Sequence, residues 1–171
     1  MSNQYFPCRV EGVYTIAFPG DAGSPLFYDT AGQVSYVVSF ANIFRGSQYY
    51  GSLVKMFGYY KVTGVKMEVQ PHLDNAANVK QTAPILLGFR TGSVVQMTYN
   101  ELVADNNSLF LGTSAQKKYV STMNSAGWGP TNTDQIVGAF SVSSPGVSST
   151  ATAPTWACKL CVYILFKKSN V

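Results

Sequence analysis

Charge is what this sequence has least of. Asp, Glu, Lys and Arg make up 12% of its 171 residues, about half the share of an ordinary globular domain. A protein alone in water relies on surface charge to stay soluble and unattached. The shortage therefore points to a chain that covers part of its surface with other protein. Cysteine is scarce and odd in number, at Cys8, Cys158 and Cys161, which argues against a secreted disulfide framework. No apolar run reaches the ~18 residues that cross a bilayer. The opening MSNQYFPCRVEG lacks the basic start and apolar stretch of a signal peptide. A reducing, intracellular setting is expected, and there the sequon Asn106-Asn107-Ser108 reads as a polar loop.

Catalytic signatures are missing as well. The single histidine, His72 in PHLD, would have to serve any Ser–His–Asp relay with Asp74 orienting it, yet no nucleophile-elbow sequence accompanies it. It reads as a turn residue at a strand end. The eight carboxylates are scattered from Glu11 to Asp134, with no HExxH or calcium-loop spacing. Neither phosphate-cradling glycine motif occurs. Cys158-Lys159-Leu160-Cys161 matches CxxC, but residues three apart on a strand point to opposite faces. Cys158 then faces the core and Cys161 the other side, and free thiols are the better account. No enzyme, metal or cofactor is expected.

What is present is apolar and aromatic. Hydrophobic residues make up 46%, with 11 Tyr, 10 Phe and 2 Trp, which excludes a disordered chain. The dominant period is two, the mark of strands. Cys8, Val10, Tyr14, Ile16 and Phe18 alternate with Arg9, Glu11 and Thr15; Val34, Tyr36, Val38 and Phe40 alternate with Ser35 and Ser39. Val65, Met67 and Val69 face in while Lys66 and Glu68 face out, and Pro71 ends that strand. Segments 83–92, 117–123 and 135–143 are further strands, and in the last one Trp156, Cys158, Leu160, Val162, Ile164 and Phe166 share a face opposite Lys159, Tyr163 and Lys167. One helix is predicted over 47–57, where Tyr50, Leu53, Val54 and Phe57 recur at helical spacing and Ser47 offers a cap. Residues 93–116 mix turn residues with one or two short strands, and 143–155 reads as an exposed Ser/Thr/Pro/Gly loop, tolerant of insertion after Ser149. Long, uneven loops favour a jelly roll over a regular meander.

Twelve basic residues against eight acidic ones leave a net charge of +4. Interleaved Tyr and Phe suit base stacking while cations hold phosphates. Arg9, Lys55, Lys61, Lys66, Lys117 and Lys118 are the candidate nucleic-acid contacts, non-specific in kind because nothing suggests base-edge reading.

The order of parts adds a resemblance. A strand (33–44), a short helix (47–57) and then FGYYKVTGVKMEVQP (57–71) is similar to coat proteins of small icosahedral single-stranded viruses. It most resembles those of circular Rep-encoding single-stranded DNA viruses (circovirus-like). Phe57, Tyr60, Lys61, Val62, Val65, Met67, Val69 and Pro71 carry the match, and WACKLCVYILFKKSN (156–170) looks like the closing strand of the same fold. The resemblance implies one domain over 1–171: an all-β jelly-roll sandwich of about eight antiparallel strands with one short helix between the second and third. It also implies self-assembly into an icosahedral shell of sixty copies, or a multiple, around a single-stranded genome. Its place is then the virion, assembled inside the host cell, with no membrane partner. Such proteins usually open with an Arg-rich arm, whereas this sequence opens directly at Tyr5-Phe6-Pro7; either an arm is missing from it or lost from the virus, or packaging relies on the inner wall. The rival reading is a carbohydrate-binding sandwich, in which Trp128 of AGWGP would be a sugar platform; a loop plug is the other role open to that residue.

Overall fold

The longest runs with a period of two give the longest strands, of thirteen residues each. The computed structural model describes residues 4–17, 25–72, 84–92, 94–124, 126–131, 136–145 and 155–168. In chain order these form β1 (Tyr5–Ala17), β2 (Leu26–Tyr28), β3 (Val34–Ser35), β4 (Val37–Ser39), α1 (Phe40–Arg45), α2 (Tyr50–Met56) and β5 (Tyr59–Pro71). There follow β6 (Ile85–Arg90), α3 (Tyr99–Ala104), β7 (Leu109–Leu111), β8 (Gln116–Ser121), β9 (Gly129–Pro130), β10 (Ala139–Ser143) and β11 (Thr155–Lys167). Among the described residues the strands make two sheets, ordered β3-β2-β1-β11-β5-β8 and β4-β10-β6-β7, with β9 alongside the start of β5. Every pairing is antiparallel. This is the expected jelly-roll sandwich, with helices between β4 and β5.

The inner faces meet in one apolar core. Val65, Met67, Leu160 and Val162 from the first sheet and Ile85, Leu87, Phe140 and Val142 from the second are fully buried. The inward parity read from the sequence for β1, β5 and β11 is the observed one, although Phe18 lies outside the described residues, as does most of the 143–155 loop. A bulge interrupts the β5–β11 register between Tyr163 and Ile164. Thr63 is the extra residue there, which brings both Val62 and Val65 to the core side.

The helices differ from expectation. Instead of one helix over 47–57 there are two before β5, plus α3. Ser39 caps α1, its hydroxyl accepting from the Asn42 N–H at 3.1 Å, so the expected strand over 33–44 ends at Ser39 and Phe40 becomes helical. That strand is also split between the sheets, β3 pairing with β2 and β4 with β10, and Val34 and Tyr36 are exposed rather than inward with Val38. Phe40 is buried either way, packed against Phe140 at 5.0 Å between ring centroids. Gly138 permits this contact: its φ is +143°, and a Cβ there would sit 2.4 Å from the Phe40 ring. Ser47 does not cap α2, which starts at Tyr50; its hydroxyl accepts from Tyr49 N–H instead. α3 begins with a capping box, in which Thr98 accepts from Glu101 N–H at 3.3 Å and Glu101 accepts from Thr98 N–H at 2.7 Å.

α3 covers the outer face of the second sheet. Leu102 packs over Gly88 with Leu86 and Met97 around it, and Arg90 clamps Glu101 at 2.6 Å. The outer face of the first sheet is left open: Arg9, Glu11, Val13, Lys117 and Tyr119 are all exposed.

Candidate nucleic-acid face

The parity that sends Leu160 and Met67 inward sends their neighbours outward, and the register then stacks those neighbours into rows across four strands. The first row is Tyr5, Lys167 and Tyr59, ending at Pro130 of β9. The second holds Pro7, Leu165 and Lys61, and the third Arg9, Tyr163 and Gly64. The fourth is Glu11, Cys161, Lys66 and Tyr119, the fifth Val13, Lys159, Glu68 and Lys117. All five rows carry a cation. Successive same-face residues lie about 6.7 Å apart along a strand, so the cations form a track roughly 27 Å long.

This face also carries the whole net charge. Six cations (Arg9, Lys61, Lys66, Lys117, Lys159, Lys167) stand against Glu11 and Glu68, an excess of four. The remaining six basic and six acidic residues of the chain cancel. The two carboxylates are shared out among the cations. Glu11 accepts from Lys159 at 3.0 Å and lies 3.5 Å from Arg9; Glu68 pairs with Lys66 and, at 3.4 Å, with Lys117. The hydrogen bond from Lys159 is the chief cause holding the Glu11 carboxyl below its usual pKa, and the bond from Lys66 does the same for Glu68. Exposed pairs of this kind add little stability. Their effect here is to space the cations and fix their directions.

Between Lys117 and Lys159 the sheet surface dips. Ala157 is too small to fill its place, and an open depression of about 500 Å³ is lined by Val13, Glu68, Gln70, Lys117, Ala157 and Lys159. Below it Cys158 is buried in the core, and burial pushes its thiol pKa up. Cys161 points to the outer side, as parity requires, yet is 1% exposed because it lies between Glu11 and Lys66 in its row, with its Sγ 3.8 Å from Glu11 Oε2.

At the other end the track meets aromatic rings. Tyr5 stacks on Trp128 with centroids 5.7 Å apart and planes at 22°. Lys167 Nζ lies 5.9 Å from the indole centroid, in the range of a cation–π contact. Trp128 is nevertheless 41% exposed, so it is not a loop plug; Tyr5 and Tyr59 are open as well. The other tryptophan, Trp156, is buried and donates its indole N–H to Gly112 O at 2.9 Å.

Of the six candidate contacts, four share the face: Arg9, Lys61, Lys66 and Lys117. Lys118 does not. It pairs with inward-facing Met67, and its ammonium donates to the carbonyls of Asn106 and Ser108, tying β8 to the turn before β7. Lys55 is exposed in the last turn of α2, off the sheet. The sequence reading missed Lys159, Lys167 and the aromatic end, although alternation in β11 had already set both lysines opposite Cys158.

No protein-family model matches the sequence, and no curated protein matches it significantly. Solved structures do match in fold. The 60-mer BFDV capsid protein superposes with a TM-score of 0.61 at 12% identity, over 98% of this chain and 96% of that one. The capsid protein of a Penaeus vannamei nodavirus T=1 subviral particle gives 0.59 at 11% identity, over 96% and 97%. Capsid protein of a Macrobrachium rosenbergii nodavirus particle gives 0.56 at 12% identity, over 99% and 97%. The chain therefore shares the jelly-roll fold of these solved capsid proteins.

Proposed function

We propose that this protein is the coat subunit of a small icosahedral single-stranded virus, assembling with copies of itself into a closed shell of sixty or a multiple. The observation that carries the reading is coverage: a solved 60-mer shell subunit aligns over nearly the full length of both chains. Composition supports it independently, since extended protein contacts favour Tyr and Phe over Lys, Glu and Asp, and this chain is poor in charge and rich in aromatics. The motif through Phe57, Tyr60, Lys61 and Pro71 supports the finer placement among coat proteins of circular Rep-encoding single-stranded DNA viruses. The work of such a chain is assembly and enclosure rather than catalysis. It belongs in the virion, after assembly inside the host cell.

The cationic sheet face is the proposed inner wall. A polyanion laid along β1, β11 and β5 would meet a cation in each successive row and displace counterions, which gives sequence-independent, salt-sensitive binding. Subunit contacts do not depend on that attraction. The net charge is only +4, so apolar contacts dominate association.

Negative-stain microscopy of purified protein at low salt and at ~0.5 M salt tests the reading. At the higher salt the Debye length falls below ~5 Å and bridging by a genome is largely screened. Shells are expected at both. Particles seen only at low salt with nucleic acid would overturn the contact-driven mechanism, and a clean monomer at both, or one that binds glycans, would overturn the coat-protein reading. Digestion of the particle contents by DNase but not RNase is the outcome expected of the finer placement.

A further inference from the structure

We infer that Trp128, with Tyr5 and Tyr59 beside it, is a stacking seat for an unpaired base of single-stranded nucleic acid, placed at the end of the cationic track. This rests on the coat-protein reading and adds a strand preference to it. Three features converge on the seat. Large aromatics normally bury their rings, yet Trp128, Tyr5 and Tyr59 are between 41% and 48% exposed at one corner of one face. Tyr5 and Lys167 are register partners on that face, and both contact the indole. The Tyr5 stack and the Lys167 ammonium hold the indole in place, which lowers the entropy cost of stacking a further ring on it.

The occupant follows from charge. A second copy of this chain would bring a protein with the same positive excess, whereas the rows that begin at Lys167 and Lys61 continue to Lys159 and Lys117 and complement a linear polyanion. A duplex satisfies the phosphate side of that match but keeps its base faces stacked on one another. Only an unpaired strand can set phosphates on the rows and a base on the indole. Aromatic stacking of this kind is indifferent to base identity, in keeping with packaging any sequence.

The test uses the full chain, a fluorescent 20-nucleotide oligothymidine and a 20-base-pair duplex at low salt. Because Trp156 is buried and bonded to Gly112, quenching of tryptophan emission reports on Trp128. Oligothymidine is expected to quench it and the duplex is not. Trp128→Ala should weaken oligothymidine binding roughly 5- to 100-fold, the effect of losing one stacked base, while leaving duplex binding unchanged. Trp128→Phe should recover most of the loss. If wild-type protein binds oligothymidine without quenching, or Trp128→Ala binds it equally well, the stacking seat is wrong and the coat-protein reading stands. If Trp128→Ala removes particles but not oligothymidine binding, the rings belong to a subunit contact and the inference fails. Quenching by a heparin oligosaccharide and not by oligothymidine overturns it in favour of a glycan site. No binding of either strand form would also remove the genome-enclosing reading.

Discussion

The docking of α3 on the second sheet depends on one missing methyl group, and this makes it open to a decisive test. Gly88 sits on β6 beneath Leu102, and a Cβ added there would lie 2.4 Å from Leu102 Cδ2. Leu102 cannot swing away, because it is fully buried between Leu86 and Met97 while the Thr98–Glu101 capping box and the Arg90 clamp hold its helix. Gly88→Ala therefore over-packs the site and should cost about 1–3 kcal/mol. With ample space the same change would be mildly favourable, since alanine has less unfolded-state freedom to lose. Leu102→Ala alone should cost about 2–5 kcal/mol through lost burial and the void left behind. In the double variant the new methyl enters that void, so Gly88→Ala becomes neutral or stabilising in the Leu102→Ala background. The expected coupling is at least ~1 kcal/mol, which corresponds to about 2–4 °C in Tm for a domain of this size. Urea unfolding of the four proteins at one low subunit concentration measures it. Equal destabilisation by Gly88→Ala in both backgrounds would show that Leu102 does not occupy the space above Gly88.

Other consequences are as direct. Leu160 lies fully buried between Gly12 and Met67, so Leu160→Asp should place an unpaired charge in the core at a cost of several kcal/mol. Soluble, assembled Leu160→Asp protein with unchanged melting would contradict the placement of β11. The depressed carboxyls of Glu11 and Glu68 contribute stability above the ordinary glutamate value of 4.5 and lose it as pH falls through their lower folded values. Protonating both raises the face from four positive charges to six, so oligonucleotide affinity should rise on acidification while thermal stability falls. Glu68→Gln should mimic part of that gain at neutral pH, and affinity that falls with pH would refute the assignment. Cys158 and Cys161 are buried and Cys8 only half-buried, so a thiol reagent should modify Cys8 first in native protein and all three groups after denaturation.

The legible part of the fold was the part written as alternation. In β5 and β11 the inward residues are apolar or aromatic and most of the polar side chains stand outward, so a slip of one residue would expose the core. Helix starts were harder, because Phe40 is buried both as the end of an extended run and as the first residue of α1. The Thr98-Tyr99-Asn100-Glu101 signal of α3 was present in the sequence but lay in a six-residue helix among turn residues, too short for a visible period. Parity placed Arg9, Lys61, Lys66 and Lys117 outward. It also set Lys118 opposite Lys117, so the two could not both reach one face. The rows themselves cannot be read locally. Glu11 meets Lys159 only through a register joining strands about 150 positions apart, and the ring stacked on Trp128 comes from Tyr5, more than a hundred positions before it.

That same pairing of β1 with β11 sets a clock. Thirteen residues near the start of the chain bond, one for one, to thirteen near its end, from Tyr5↔Lys167 to Ala17↔Thr155. Among the described residues β11 is the strand that joins β1 to β5. During synthesis at ~5–20 residues per second the ribosome takes roughly seven to thirty seconds to pass from β1 to the end of β11. Until it emerges, β1 has no long partner, β5 lacks its neighbour, and neither the cationic rows nor the ring cluster exists. Nascent chains on one messenger can be crowded together without displaying the finished surface. The finished surface therefore appears only once β11 is available to pair.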